Sequence, residues 1–262
     1  MDLGLKGKCA LLTGASRGLG FATAKALAME GVRIAINGRD PERLSAAGDE
    51  LAMLGPEVIT LPGDLTYPEV PAKLVAATTE AFGGLDLLFT NTGGPPPLSF
   101  EDVDEAAWQH SIDLAFMSHV RLIKAALPYL KKSDSPAVLT VTSVSVKQPI
   151  PNLVLSNSIR AATVGLTKTL ALELGPEGIR FNSILPSWTS TERVEQLLKD
   201  RAERKGTTIE DERNLQNQSA ALGRMATPEE FANAAAFLLS PAASYITGVM
   251  LTVDGGSYKG TF

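Results

Sequence analysis

Thr13-Gly14-Ala15-Ser16-Arg17-Gly18-Leu19-Gly20 closes an apolar, β-rich run that starts at Cys9 and leads directly into a helical pattern. A strand that becomes a helix through glycines leaves backbone N–H groups unpaired at the helix N-terminus, where the peptide dipoles also favour negative charge. A pyrophosphate lying against Gly14, Ser16, Gly18, Leu19 and Gly20 is the chemistry this spacing offers. The alternative, a tight turn whose glycines merely allow close helix packing, is disfavoured by the strand–turn–helix context. At the end of the second β-rich run stands Asn37-Gly38-Arg39-Asp40-Pro41. Asp40 has nearly the spacing of an acidic side chain that takes a ribose 2′-hydroxyl. An Asp ahead of Pro-Glu-Arg is also the start of a capped helix, and the cap is favoured. Arg39 and Arg17 then remain as cations for a 2′-phosphate, whose oxygens suit a guanidinium. Either arginine alone reads as a solvated surface charge; together, on adjacent loops, they favour NADP(H) over NAD(H).

These residues need a scaffold that brings several loops to one edge. Short β-rich runs at 10–13, 32–36, 58–61, 85–89, 137–141, 179–185 and 249–253 alternate with helical patterns at 21–30, 42–54, 70–82, 105–130 and 153–174. This βαβ rhythm predicts an α/β fold, a single-domain Rossmann-type doubly wound parallel sheet flanked by helices on both faces. Runs such as Leu85-Asp86-Leu87-Leu88-Phe89 lack alternation, as strands covered on both sides do. In such a sheet, ligands bind beyond the carboxyl ends of the strands, so the loops after Thr13, Ile36, Leu61, Phe89, Val141 and Leu185 are where chemistry is expected. A polar stretch at 187–221, helical around Val194, Leu197 and Leu198, reads as an insertion at that edge, and Pro95-Pro96-Pro97 as a stiff loop.

Composition narrows the classes. A chain of 262 residues with 44% hydrophobic content can bury one large core, and a net charge of -5 gives no long-range attraction to nucleic acid or anionic lipid. Cys9, the single cysteine, excludes an internal disulfide and a thiolate metal site, and reads as a small buried hydrophobe. No metal is expected. No apolar stretch approaches the roughly 20 residues of a membrane span, and the N-terminus lacks a secretory pattern, so a cytoplasmic protein is expected.

With the loops placed, the chain resembles the short-chain dehydrogenase/reductase superfamily over essentially its whole length. Thr-Gly-x-x-x-Gly-x-Gly spans Thr13 to Gly20, Asn91-Thr92-Gly93 stands where the family has Asn-Ala-Gly, and Leu222-Gly223-Arg224, Thr227-Pro228-Glu229-Glu230 and Val253-Asp254-Gly255-Gly256 match its C-terminal pattern. The resemblance implies that Asp64 and Leu65 border the adenine and that Asn91 and Gly93 line the cofactor path. Pro186-Ser187-Trp188-Thr189-Ser190-Thr191 is similar to the family's Pro-Gly-x-x-x-Thr, which makes Thr191 the candidate partner of the nicotinamide carboxamide. A homotetramer is also implied.

The catalytic positions depart from the pattern. Ser143 matches the family's substrate-orienting serine. Where the family has Tyr-x-x-x-Lys, this chain has Ser156-Asn157-Ser158-Ile159-Arg160, and the family's asparagine falls near Ala115. Residues 156 and 160 are one helical turn apart, a spacing that lets both face the same pocket. A serine hydroxyl is a poorer proton donor than a phenol, and arginine holds its proton instead of relaying it. His119 is a conceivable substitute acid, although a lone histidine on a long helix more often packs or faces solvent. Lys147, on the loop after Ser143, is a candidate for an anionic substrate or a carbonyl, or an ordinary exposed lysine. Trp188 and residues 193–218 are expected to form a lid. The resulting expectation is an oxidoreductase moving hydride between NADP(H) and a small carbonyl or alcohol, with Ser143, Ser156 and Arg160 as the catalytic set. The alternative is an NADP(H)-binding protein without turnover.

Overall fold

A computed structural model describes residues 1–261. Seven parallel strands, β1 (Cys9–Leu12), β2 (Arg33–Gly38), β3 (Val58–Pro62), β4 (Leu87–Thr90), β5 (Ala137–Val141), β6 (Arg180–Pro186) and β7 (Met250–Val253), form one sheet in the order β3-β2-β1-β4-β5-β6-β7. The chain runs outward from β1 to β3, then returns to the far side of β1 for β4. β1 pairs with both, Leu12 standing opposite Ile36 on one side and Phe89 on the other. The crossovers diverge between β1 and β4, and the crevice at their carboxyl ends is where such a sheet accepts ligands.

Successive side chains of each strand enter opposite cores. Leu12, Ile34, Ile36 and Phe89 pack under α1 (Gly18–Met29), α2 (Pro41–Ala52) and α9 (Pro228–Leu239). Leu11, Ala35, Leu88 and Phe181 pack under α3 (Val70–Phe82), α5 (Ser118–Leu130) and α6 (Val154–Leu174). This two-sided burial explains why the strands read as unbroken apolar runs. At about 1.5–3 kcal/mol for each fully buried large side chain, it is the main favourable term. The caps follow the sequence: Asp40 accepts from the Arg43 N–H ahead of Pro41, and Thr227 and Glu230 form a capping box on α9. Arg180, buried at the start of β6, caps the other end of α9 by donating to the carbonyls of Leu238, Leu239 and Ser240 at 2.7, 3.1 and 2.9 Å.

Residues 105–130 depart from the expectation of one uniform helix. α4 (Glu105–Ile112) continues through a π-helical turn, Asp113–Met117, into α5. The extra residue in that turn displaces backbone groups from the regular ladder, and Thr163 Oγ1 of α6 donates to the Ala115 carbonyl at 2.8 Å. The stretch at 187–221 holds two helices, α7 (Glu192–Lys205) and α8 (Ile209–Ser219). No helix among the described residues is long and apolar enough to cross a membrane.

Candidate active site

The first turn of α1 is the floor of a cleft of about 460 Å3 at the carboxyl ends of β1, β4 and β5. Gly14 and Gly18 both have φ of 56°, the left-handed conformation that a side chain would strain. No side chain caps α1, its first turn carries no acid, and among the described residues the N–H groups of Ser16, Arg17, Gly18, Leu19 and Gly20 have no partner. An anion matches that donor set. Asn91 holds the turn against β4: its side-chain amide donates to the Gly14 carbonyl at 3.1 Å, while its backbone N–H donates to Thr13 Oγ1 at 3.0 Å. Thr13 Oγ1 donates in return to the Asn91 carbonyl at 3.0 Å. Two chain turns are thereby locked across the switch point.

Of the residues singled out in the sequence, Gly14, Ser16, Arg17, Gly18, Leu19, Arg39, Asp64, Leu65, Asn91, Gly93, Ser143, Ser156, Arg160, Pro186 and Thr191 all line this one cleft. Gly20 does not. It lies behind the turn, where a Cβ would stand 2.2 Å from the Gly14 carbonyl oxygen, so its contribution is the close approach of α1. Thr191 caps α7 by accepting from the Val194 N–H at 3.3 Å, and this use of its oxygen was not visible from the motif.

The rim near β2 is basic, and Asp40 is engaged as the cap. Arg39 is mostly exposed, 3.9 Å from Asp64. Arg17 pairs with Glu192 at 2.5 Å, and Arg43, which the motif did not single out, reaches the same carboxylate at 3.3 Å. The hydrogen bond from Arg17, then the charges of both arginines, hold the Glu192 carboxyl below its usual range. Asn37, another residue the sequence did not flag, donates to the carbonyls of Leu61 and Gly63 at 2.9 and 3.1 Å and fixes the β3 loop.

At the opposite end, Ser143 Oγ accepts from the Ser145 N–H at 3.2 Å. Ser156 Oγ makes no hydrogen bond among the described residues. Arg160 is buried, with Nη1 donating to the carbonyls of Val141 and Thr142 at 3.0 and 3.2 Å and Nη2 to that of Gly93 at 2.7 Å. It ties the β4 loop to the end of β5. Burial, then the charge of nearby Arg193, pull its pKa down to about 10, still cationic at neutral pH. Two candidates fall away from the cleft. His119 is fully buried with Nδ1 2.7 Å from Thr90 Oγ1, and it does not line the cleft. Lys147 lies over the Tyr258 ring, 5.3 Å from its centroid, and does not line the cleft either. Among the described residues no cluster of His, Cys, Asp and Glu is arranged to hold a metal.

Residues 14–258 match the family model described as enoyl-(acyl carrier protein) reductase. The human dehydrogenase/reductase SDR family member 4 is 32% identical over 257 residues, spanning 97% of this chain and 88% of that protein. The chain belongs to the short-chain dehydrogenase/reductase family. L-sorbose reductase from Gluconobacter frateurii, solved with NADPH and L-sorbose, superposes with a TM-score of 0.94 at 31% identity, over 99% of this chain and 100% of that one. A 7α-hydroxysteroid dehydrogenase solved with NADH and 7-oxo glycochenodeoxycholic acid gives 0.89 at 29%, over 100% of this chain and 98% of that one. Among the described residues, no Tyr, Lys or His side chain lines the cleft.

α7 lines the cleft through Glu192, Arg193, Val194 and Leu197, and α8 braces it from behind. Arg213 of α8 holds Glu195 of α7 through two hydrogen bonds of 2.9 and 2.6 Å, and Lys205 holds the buried Glu212 at 3.0 Å. Arg201 stacks over Trp188 at 4.7 Å, which seats α7 on the β6 loop.

Proposed function

We propose that this chain is an oxidoreductase using NADP(H) in preference to NAD(H) and acting on a small carbonyl or alcohol. The observation that carries the proposal is that one cleft unites the open donors of α1 with the hydroxyls of Ser143 and Ser156. The α1 turn would hold the pyrophosphate, Asp64 and Leu65 would border the adenine, and Asn91, Gly93, Pro186 and Thr191 would line the path toward the nicotinamide. Arg17, Arg39 and Arg43 would meet a 2′-phosphate. The bound dinucleotide supplies a hydride or accepts one. Ser143 and Ser156 orient the substrate oxygen by hydrogen bonds, Arg160 contributes a fixed positive charge against developing negative charge, and water supplies the proton. Residues 187–221 act as the lid that excludes bulk water. A homotetramer is supported by the edge strand β7, which exposes Met250 and Leu251, and by exposed Leu172 on α6.

A second function, binding of NADP(H) without turnover, is favoured by the absence, among the described residues, of phenol, imidazole and amine from the cleft and by the three carbonyls that occupy Arg160. Titrating wild type with NADPH and NADH, then following absorbance loss across aldehydes, ketones and quinones, separates the two. Tight NADPH binding with turnover supports the oxidoreductase. Tight binding without turnover, with activity appearing in Ser156→Tyr/Arg160→Lys, supports the second function.

A further inference from the structure

A second cavity, of about 530 Å3, opens beneath the α7–α8 hairpin and shares Leu153, Ser187 and Leu197 with the cleft just described. Its size is that of small-molecule sites, which run from about 300 to about 1,000 Å3. One wall is apolar, made of Val144, Ile150, Pro151 and Leu215. The other carries Arg201, Arg204 and Lys205, and among the described residues no carboxylate lines the cavity. Lys205 is neutralised by Glu212. The Arg201 guanidinium stacks on Trp188 and, among the described residues, forms no hydrogen bond and no direct ion pair; the Glu212 carboxylate, engaged by Lys205, acts on it only through space. Burial is the main influence on that guanidinium and works against its charge.

Gln216 supplies an independent observation. It is only 7% exposed, lines the same cavity, and its side-chain amide has no hydrogen-bond partner among the described residues. The Gln216 amide and the stacked guanidinium both present unused donors at the cavity wall, where an acceptor would meet them. A carboxylate offers acceptors to both, and guanidinium geometry suits it.

We propose that the substrate is an amphipathic carboxylic acid whose reacting carbonyl or alcohol is remote from the acid. Its apolar body lies against Val144, Ile150, Pro151 and Leu215, its carboxylate meets Arg201 and Gln216, and its reacting oxygen extends through the shared mouth toward Ser143 and Ser156. This assignment deepens the oxidoreductase proposal and rests on it for the reaction, while the acid-binding cavity can be tested without turnover.

Trp188 is a built-in reporter. In Trp108→Phe protein, which leaves Trp188 as the sole tryptophan, decanoate and the neutral decanol are titrated against Trp188 emission in the absence of cofactor. Decanoate is expected to bind saturably and at least about tenfold more tightly than decanol. Arg201→Met should bring decanoate to the level of decanol, Arg201→Lys should retain part of the difference, and Gln216→Leu should weaken decanoate several-fold. Thermal melts confirm that each variant is folded. Equal binding of decanoate and decanol, or an Arg201→Met variant that binds decanoate as wild type does, overturns the proposal. Decanoate held by residues of the cofactor cleft, shown by competition with NADPH and insensitivity to Arg201→Met, overturns it as well. Loss of NADPH binding or turnover in the separate assays strikes the oxidoreductase proposal and leaves this test standing.

Discussion

Acidification should weaken this protein through His119, and the size of the effect follows from its surroundings. The imidazole has no exposed surface, one nitrogen meets Thr90, and Nε2 has no partner. Burial, then the positive charge of Arg160, lower its pKa from 6.5 to about 3. As pH falls, the unfolded chain's imidazole takes up a proton near its ordinary value while the folded chain's stays neutral. The unfolded state then binds more protons, so the contribution is complete above 6.5 and is lost as pH falls toward about 3. At about 1.4 kcal/mol per pH unit, the folded state loses about 2 kcal/mol by about pH 5 from this residue alone. Urea denaturation of wild type and His119→Asn at about pH 7.5 and about pH 5 isolates it, because the other titrating groups cancel in the comparison. The variant is less stable at the higher pH, from lost packing, but its loss on acidification should be smaller than that of wild type by about 2 kcal/mol. Equal losses in the two proteins would refute the account. A second variant, His119→Gln, should behave likewise.

Replacing Arg43 or Arg39 by Ala should raise the Kd for NADPH roughly tenfold and leave that for NADH unchanged, as read by fluorescence titration. Gly20→Ala places a methyl 2.2 Å from the Gly14 carbonyl oxygen. Backbone must shift, so NADPH affinity should fall at least about tenfold and stability by about 1–3 kcal/mol. Arg180→Met leaves the carbonyls at the end of α9 without their donors and should lower the unfolding free energy by about 2–4 kcal/mol in urea, with Arg180→Lys recovering part.

The parts of the molecule governed by local pattern were legible in the sequence. The apolar runs located the strands within a few residues, Asp40-Pro41 was a cap, and the glycine turn lay where its motif placed it. What the sequence withheld depends on which distant groups the sheet brings together. Arg43, Arg193 and Arg201 sit on amphipathic helices, where an arginine reads as a solvated charge until the topology turns it toward a distant carboxylate, as for Arg43, or a cavity, as for the other two. Arg160 read as a replacement within a five-residue motif, but its carbonyl partners lie on two other chain segments. The π-helical turn escaped because one additional residue barely disturbs an apolar periodicity sampled over several turns.

Glu192 gives the cleft mouth a property of exchange rather than simple filling. Its carboxylate already occupies Arg17 and Arg43. On the proposed reading, a phosphate arriving there would replace an anion that the chain itself provides, and its net gain would be the difference between the two pairings. Both existing pairs are solvent-exposed and worth about 1 kcal/mol at most, so the displacement is inexpensive. It would also unfasten the first turn of α7 from the glycine loop, so that the identity of the incoming anion would be reported at the base of that helix.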